Sequence, residues 1–167
     1  MVEEIRTERL LLRRATADDI APMHRILSNA EAMRYWSSLP HTEIGQTEAW
    51  MASTIDPSVQ GGDEFIVMLN GEVIGKMGCW KPPEIGFIFD PACWGRGYAS
   101  EALGAFIDYR RNAGGEEITA DVDPRNAAAI ALLAKAGFEE AGRAKRTWQL
   151  GGEWCDSIYL KLDLKRA

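Results

Sequence analysis

In DPACWGRGYASEALGAFI, Asp90 to Ile107, two glycines stand one residue apart just before a helical pattern. The first amides of a helix lack intrahelical partners and lie at the positive end of its dipole, so such a turn suits an anion. Gly95 and Gly97 permit a sharp turn and remove side chains that would hold a phosphate away. Ser100 adds a hydroxyl donor and Arg96 a nearby positive charge. From these residues alone, a diphosphate cradle and a plain loop are both open. The Gly-Lys-Ser/Thr of a triphosphatase P-loop is absent. GRGYAS nearly matches the dinucleotide pattern G-x-G-x-x-G, and Asp121 stands roughly where a ribose-binding acid would fall. Against that reading, the turn follows a hairpin meander rather than opening a βαβ unit, and too little chain follows for a doubly wound sheet.

The flanking pattern supplies the elements that must position this turn. RLLLRRA (Arg9 to Ala15) reads as a short strand, and DDIAPMHRILSN as a helix with Pro22 tolerated in its first turn. Thr42 is expected to cap a second helix running through Ile55. Two β-rich runs then flank Asn70-Gly71, a strong hairpin signal. EIGFIFD (Glu84 to Asp90) is a further strand. After the glycines, Ala99, Ala102, Leu103, Phe106 and Ile107 form one apolar helix face. EEITADV is a strand, Asp123 and Pro124 suit the start of another helix, and the tail turns as a hairpin at Gly151-Gly152. The order β-α-α-β-β-β-α-β-α-β-β describes a mixed α/β layer structure of about seven strands and about four helices.

A length of 167 residues fits a single domain over 1–167, and 46% hydrophobic with 26% charged residues fits a globular chain. A net charge of −6 argues against a general nucleic-acid binder, which needs cations against phosphates. Cys79, Cys93 and Cys155 show no metal-ligand spacing, so free thiols and no metal are expected. The acidic start MVEEIRTERLLLRR is unlike a signal peptide, and no run approaches the ~20 apolar residues of a membrane helix. A cytoplasmic protein with no membrane partner is the expectation; a homodimer is left open.

DPACWGRGYASEAL resembles motif A, Q/R-x-x-G-x-G/A, of the GNAT superfamily of acyl-CoA-dependent N-acetyltransferases. TERLLLRRATADDI is similar to the opening of the RimJ/RimL-like branch, which acetylates ribosomal-protein N-termini. EIGFIFDP, DPRNAAAIALLAKAGF and GGEWCDSIYL resemble that branch's fourth strand, next helix and closing hairpin, so the likeness runs from about Glu8 to Leu164. It implies the GNAT fold, a largely antiparallel twisted sheet, and acetyl-CoA as co-substrate. It also implies a pyrophosphate on the turn Trp94, Gly95, Arg96, Gly97, Tyr98, Ala99 and Ser100. The backbone of Phe87, Ile88 and Phe89 would pair with the pantetheine arm like an added strand, and Asn126 would touch the cofactor. Trp94, rather than a glutamine or arginine, leads into the glycines, so the cradle relies on backbone. Leu133 and Ala129 replace a tyrosine and a serine common in the family, and neither can donate a proton.

The implied reaction is acetyl transfer to a primary amine, on a protein N-terminus or a small molecule, in a ternary complex. The alternative is a non-catalytic acyl-CoA-binding or sensing domain. Amine attack needs a neutral amine, so a base helps; Glu84, opening the motif strand, is the candidate. A backbone amide near Phe87 or Ile88 would hold the oxyanion. Arg34, Tyr35, Trp36 and His41 in MRYWSSLPH, with Trp80 and Trp154, are the acceptor-side candidates.

Overall fold

The computed structural model describes residues 2–166; Met1 and Ala167, the ends of the expected domain, lie outside the described residues. The chain runs β1 (Glu4–Arg6), β2 (Leu10–Arg13), α1 (Ile20–Leu27), α2 (Ile44–Ile55), β3 (Asp63–Leu69), β4 (Glu72–Lys81) and β5 (Glu84–Phe89). It continues through α3 (Tyr98–Asn112), β6 (Glu117–Val122), α4 (Ala127–Lys135), β7 (Glu139–Leu150) and β8 (Glu153–Asp163). Among the described residues the sheet has eight strands rather than about seven, in the order β1-β2-β3-β4-β5-β6-β8-β7. The extra strand is β1, whose three residues pair antiparallel with β2 from Glu4↔Arg13 to Arg6↔Leu11. Three residues carry too little alternation to read as a strand.

Two helix starts differ from expectation. Glu43, not Thr42, is the N-cap of α2, because its backbone is still extended and Gln46 Oε1 accepts its N–H at 2.9 Å. Asn126, not Asp123, caps α4, with its Oδ1 accepting from Ala129 N at 3.2 Å. Asp123 is held elsewhere: its carboxylate binds the Arg125 guanidinium, which keeps its pKa below the usual carboxylate value.

Side chains alternate across the sheet and divide the core. Phe65, Val67, Met77, Ile85 and Phe89 point to the face covered by α3 and α4, where they meet Leu103, Phe106 and Leu133. Ile66, Val73 and Ile88 point the other way, against Met23, Ile26 and Met51 of α1 and α2. Fully burying side chains of this size stabilises by ~1.5–3 kcal/mol each. Asp63 joins the layers, accepting from Arg14 on one oxygen and from Arg110 of α3 on the other. No helix among the described residues is long and apolar enough to cross a membrane.

A buried polar cluster sits between α1 and α2. Thr47 Oγ1 lies 2.6 Å from His24 Nδ1 and 2.7 Å from His41 Nδ1. One hydroxyl has one proton to give, so one ring accepts it while the other donates its Nδ1–H. Burial, with His24 alongside, depresses the His41 pKa below its ordinary 6.5. The folded protein therefore binds fewer protons here than the unfolded chain. Stability is intact above pH 6.5 and falls as the pH drops through that value toward the lowered folded one. Equilibrium unfolding in urea from pH 8 to about 5 should show this acid-side loss, and His41→Gln should flatten it. An unchanged slope in the variant would exclude His41 as its source.

Candidate active site

The two parallel strands meet only at their beginnings. Glu84↔Thr119 is the single register pair between β5 and β6, with Thr119 N donating to Pro83 O at 3.0 Å. Main-chain groups alternate sides along a strand, so the hydrogen bonds at either end of β5 fix its phase. Pro83 O points to β6, while Asp90 N donates to Ile74 O of β4 at 2.8 Å. The groups of Phe87 and Phe89 therefore face the opening beside β6, and those of Gly86 and Ile88 face β4. Phe89 O already accepts from Trp94 Nε1 at 3.0 Å. Ile88 is a correction to the expected pairing run: its ladder groups are taken by β4 and its side chain is buried.

The opening ends at the glycine turn. Asp90 accepts from Ala92 N at 3.0 Å and starts a short 3-10 turn, and Gly97 caps α3 with φ +81°. Gly95 is also left-handed at φ +75°, and a Cβ there would find nothing within 4 Å. Space is open above the turn, and the first amides of α3 have no side-chain cap. Glu101 in the first turn of α3 suits the dipole but would repel an anion. Arg9 neutralises it: its Nε bonds Glu101 Oε2 at 2.6 Å, and its Nη1 bonds Arg96 O at 2.9 Å. Arg9 N and Thr7 Oγ1 also donate to Glu101 Oε1. The turn is thus latched from the β1–β2 segment. Arg96 contributes its carbonyl to this latch, and its exposed side chain does not line the cavity.

A cavity of about 1220 Å³ passes through the opening and connects the two faces of the sheet. On the α3/α4 side it is lined by Trp94, Gly97, Ser100, Asn126 and Ala129. On the α1/α2 side it is lined by Trp36, Trp50, Trp80, Glu84 and a buried Lys76–Glu64 ion pair. Burial pushes the Lys76 pKa down against the pull of Glu64, and its Nζ lies 4.1 Å from the centre of the Trp50 ring. Glu84 is half-buried and accepts from Trp80 Nε1 at 3.2 Å. Desolvation raises its pKa, the charge of Asp121 adds to the rise, and the Trp80 bond opposes it.

The structure brings Glu84, Phe87, Ile88, Phe89, Trp94, Gly95, Gly97, Tyr98, Ala99, Ser100, Asn126, Arg34, Tyr35, Trp36 and Trp80 to one cavity. It does not bring His41 there: that ring is 8% exposed and bonded to Thr47. Trp154 is also elsewhere, exposed and beside Arg146. Leu133 is fully buried in the core, whereas Ala129 reaches the cavity wall. Cys93 lines the cavity with its thiol pKa raised by burial, and Cys79 is buried with a pKa pushed up to about 12. Lys76, Glu64, Trp50 and the Arg9 latch escaped the sequence reading. Only the alternation of EFIVML and EVIGKMGCW, which sets Glu64 and Lys76 on the same face, could have paired them.

The chain is similar to known proteins over most of its length. The family model of the acetyltransferase (GNAT) domain matches residues 9–139. The uncharacterized N-acetyltransferase p20 of Bacillus licheniformis is 31% identical over 99% of this chain and 98% of its own length. The crystal structure of a GNAT-family acetyltransferase from Bacillus anthracis superposes with a TM-score of 0.84 at 25% identity, covering 98% of this chain and 99% of its own. Spermidine N-acetyltransferase from Vibrio cholerae, solved with CoA and spermine, shares the fold at a TM-score of 0.81 and 21% identity, covering 95% and 97%. The chain belongs to the GNAT acetyltransferase family and is an acyltransferase enzyme.

Proposed function

We propose that this enzyme, as a single domain, transfers acetyl from acetyl-CoA to a primary amine by direct attack, with both substrates held in the one cavity. The observation that carries the reading is the continuity of the β5–β6 opening with the N-terminus of α3, whose first amides have no side-chain cap. Acetyl-CoA has the groups to fit it. Its pyrophosphate suits the amides from Gly97 to Ser100, and its pantetheine amides suit the ladder groups of Phe87 and Phe89. The cap bond of Asn126 uses only Oδ1, which leaves its Nδ2–H groups for the cofactor. The opening TERLLLRRATADDI supports a RimJ/RimL-like origin, a branch whose acceptors are protein N-termini.

The amine nitrogen forms a bond to the acetyl carbon as the carbon–sulfur bond breaks, and the amine proton goes to Glu84 directly or through water. The raised pKa of Glu84 brings its basicity nearer to that task. Phe87 N–H, turned into the opening, is the donor for the carbonyl oxygen. Ala129 and Leu133 offer no proton to the departing sulfur, which leaves under the influence of the α4 N-terminus and water.

Acetyl-CoA-dependent formation of free thiol on addition of amines tests the reading, and calorimetry measures cofactor affinity separately. Binding of acetyl-CoA without thiol release on a broad amine panel would contradict transfer. Glu84→Gln should lower turnover by roughly a hundredfold with acetyl-CoA affinity unchanged. In the wild type, rate should fall as pH drops through the raised Glu84 pKa, and the variant should lose that limb. A Gln variant with the wild-type acid limb would exclude Glu84 as the base.

Gly97→Val forces a branched residue to positive φ and places its Cβ about 3.3 Å from Arg9 Nη2. It should weaken acetyl-CoA binding by about tenfold or more, the equivalent of ~1–2 kcal/mol. Arg9→Ala should raise the KM for acetyl-CoA more than it lowers kcat. Arg9→Lys should restore little, because a point cation cannot span Glu101 and Arg96 O together. Wild-type cofactor affinity in Gly97→Val and Arg9→Ala would remove the turn from the binding site.

A further inference from the structure

We infer that the acceptor is a small primary amine carrying a flat aromatic ring, which rests over Gly86 against the indoles of Trp36 and Trp80. The inference builds on the acetyl-transfer reading and names the acceptor class for it. A Cβ placed on Gly86 would lie 3.6 Å from Cδ1 of Trp80 and 3.9 Å from Cη2 of Trp36. Two indoles from different segments thus converge over the one residue of β5 that has no side chain. Gly86 stands two residues from Glu84, on the same face of the strand, a distance of ~6–7 Å. A ring at Gly86 and an amine at Glu84 are therefore joined by a short alkyl arm.

The walls are fixed independently of any ligand. Trp36 packs edge-on against Trp50 at 6.1 Å and 65°. Trp50 is held in turn by the Lys76 ammonium over its face, and Trp80 is held by its N–H bond to Glu84. Preorganised aromatic walls bind a ring at little ordering cost. Charge then sets where a single ammonium goes. Glu64 is already engaged by Lys76 and Thr54, and Arg34 lies on the same side of the cavity. Glu84 and Asp121 share the end of the cavity nearest the β5–β6 junction, where a single ammonium is welcome; Glu31 is exposed at the lining.

The test compares tryptamine, n-butylamine and spermidine with the intact enzyme and its Gly86→Ala variant. Turnover is read as thiol release, and tryptamine binding to the CoA-loaded enzyme is read by calorimetry. An alanine at 86 makes only ordinary contacts, and Gly86 needs no positive φ, so the variant keeps its fold while narrowing the slot. Tryptamine should be the preferred acceptor of the three by about tenfold or more in kcat/KM. Gly86→Ala should lower tryptamine turnover by a larger factor than n-butylamine turnover, so that the preference falls, with acetyl-CoA affinity near wild type. Equal or better turnover of spermidine or n-butylamine would overturn the aromatic slot while leaving acetyl transfer standing. An equal loss for all three amines in Gly86→Ala would overturn it too. Tryptamine binding without transfer would instead uphold the slot and contradict the reaction, and absence of both binding and transfer would overturn the inference.

Discussion

A parallel strand pair that separates after one residue pair leaves main-chain donors and acceptors without ladder partners, and this molecule is arranged around that deficit. Buried backbone groups must be hydrogen-bonded, so an opening inside a sheet persists only where a ligand or water can answer them. Here β5 and β6 part beyond Glu84 and Thr119. The phase of β5 then decides which residues address the opening: Phe87 and Phe89 by their main chains, Glu84 and Gly86 by their position on the α1/α2 face. One strand thereby presents two surfaces to the cavity, the edge it turns to β6 and the face it turns to the tryptophans.

The electrostatics of the turn follow from the same geometry. A helix N-terminus pointed at an opening attracts anions, yet α3 carries Glu101 in its first turn. Four hydrogen bonds from Thr7 and Arg9 tie that carboxylate and the Arg96 carbonyl to the β1–β2 segment. The result keeps Glu101 as a structural anchor and removes its repulsion from the turn. On the opposite side, Lys76 and Glu64 neutralise each other beside Trp50, which leaves Glu31, Arg34, Glu84 and Asp121 as the charged groups around the tryptophans there. Such pairing of a buried cation is costly to break, since removing one partner strands the other charge in a dry site.

Local signals were legible in the sequence. Asn70-Gly71 produced its hairpin with both residues at positive φ. Gly95 and Gly97 took positive φ in the turn before α3, and with Glu84 and Asn126 they fell at the cavity. The misses share a physical cause, which is that they depend on pairings far apart in the chain. Arg9 meets Glu101 across 92 positions, and no local periodicity announces that contact. His41 looked available in a loop beside Pro40, but its bonds to Thr47 Oγ1 and Leu27 O hold it inward. The Ile88 ladder groups could be assigned only after the hydrogen bonds of Pro83 and Asp90 fixed the strand's phase. Lys76 reads as a solvated residue until Trp50 and Glu64 are seen on the same face.

Residue-resolved amide hydrogen exchange, with and without acetyl-CoA, tests most directly whether the opening between β5 and β6 is where the co-substrate adds its missing strand. Protection should rise at Phe87, Phe89 and the amides from Gly97 to Ser100, while the Gly151-Gly152 turn stays unchanged. Saturating acetyl-CoA that left Phe87 and Phe89 exchanging as before would contradict strand addition and move the binding site elsewhere.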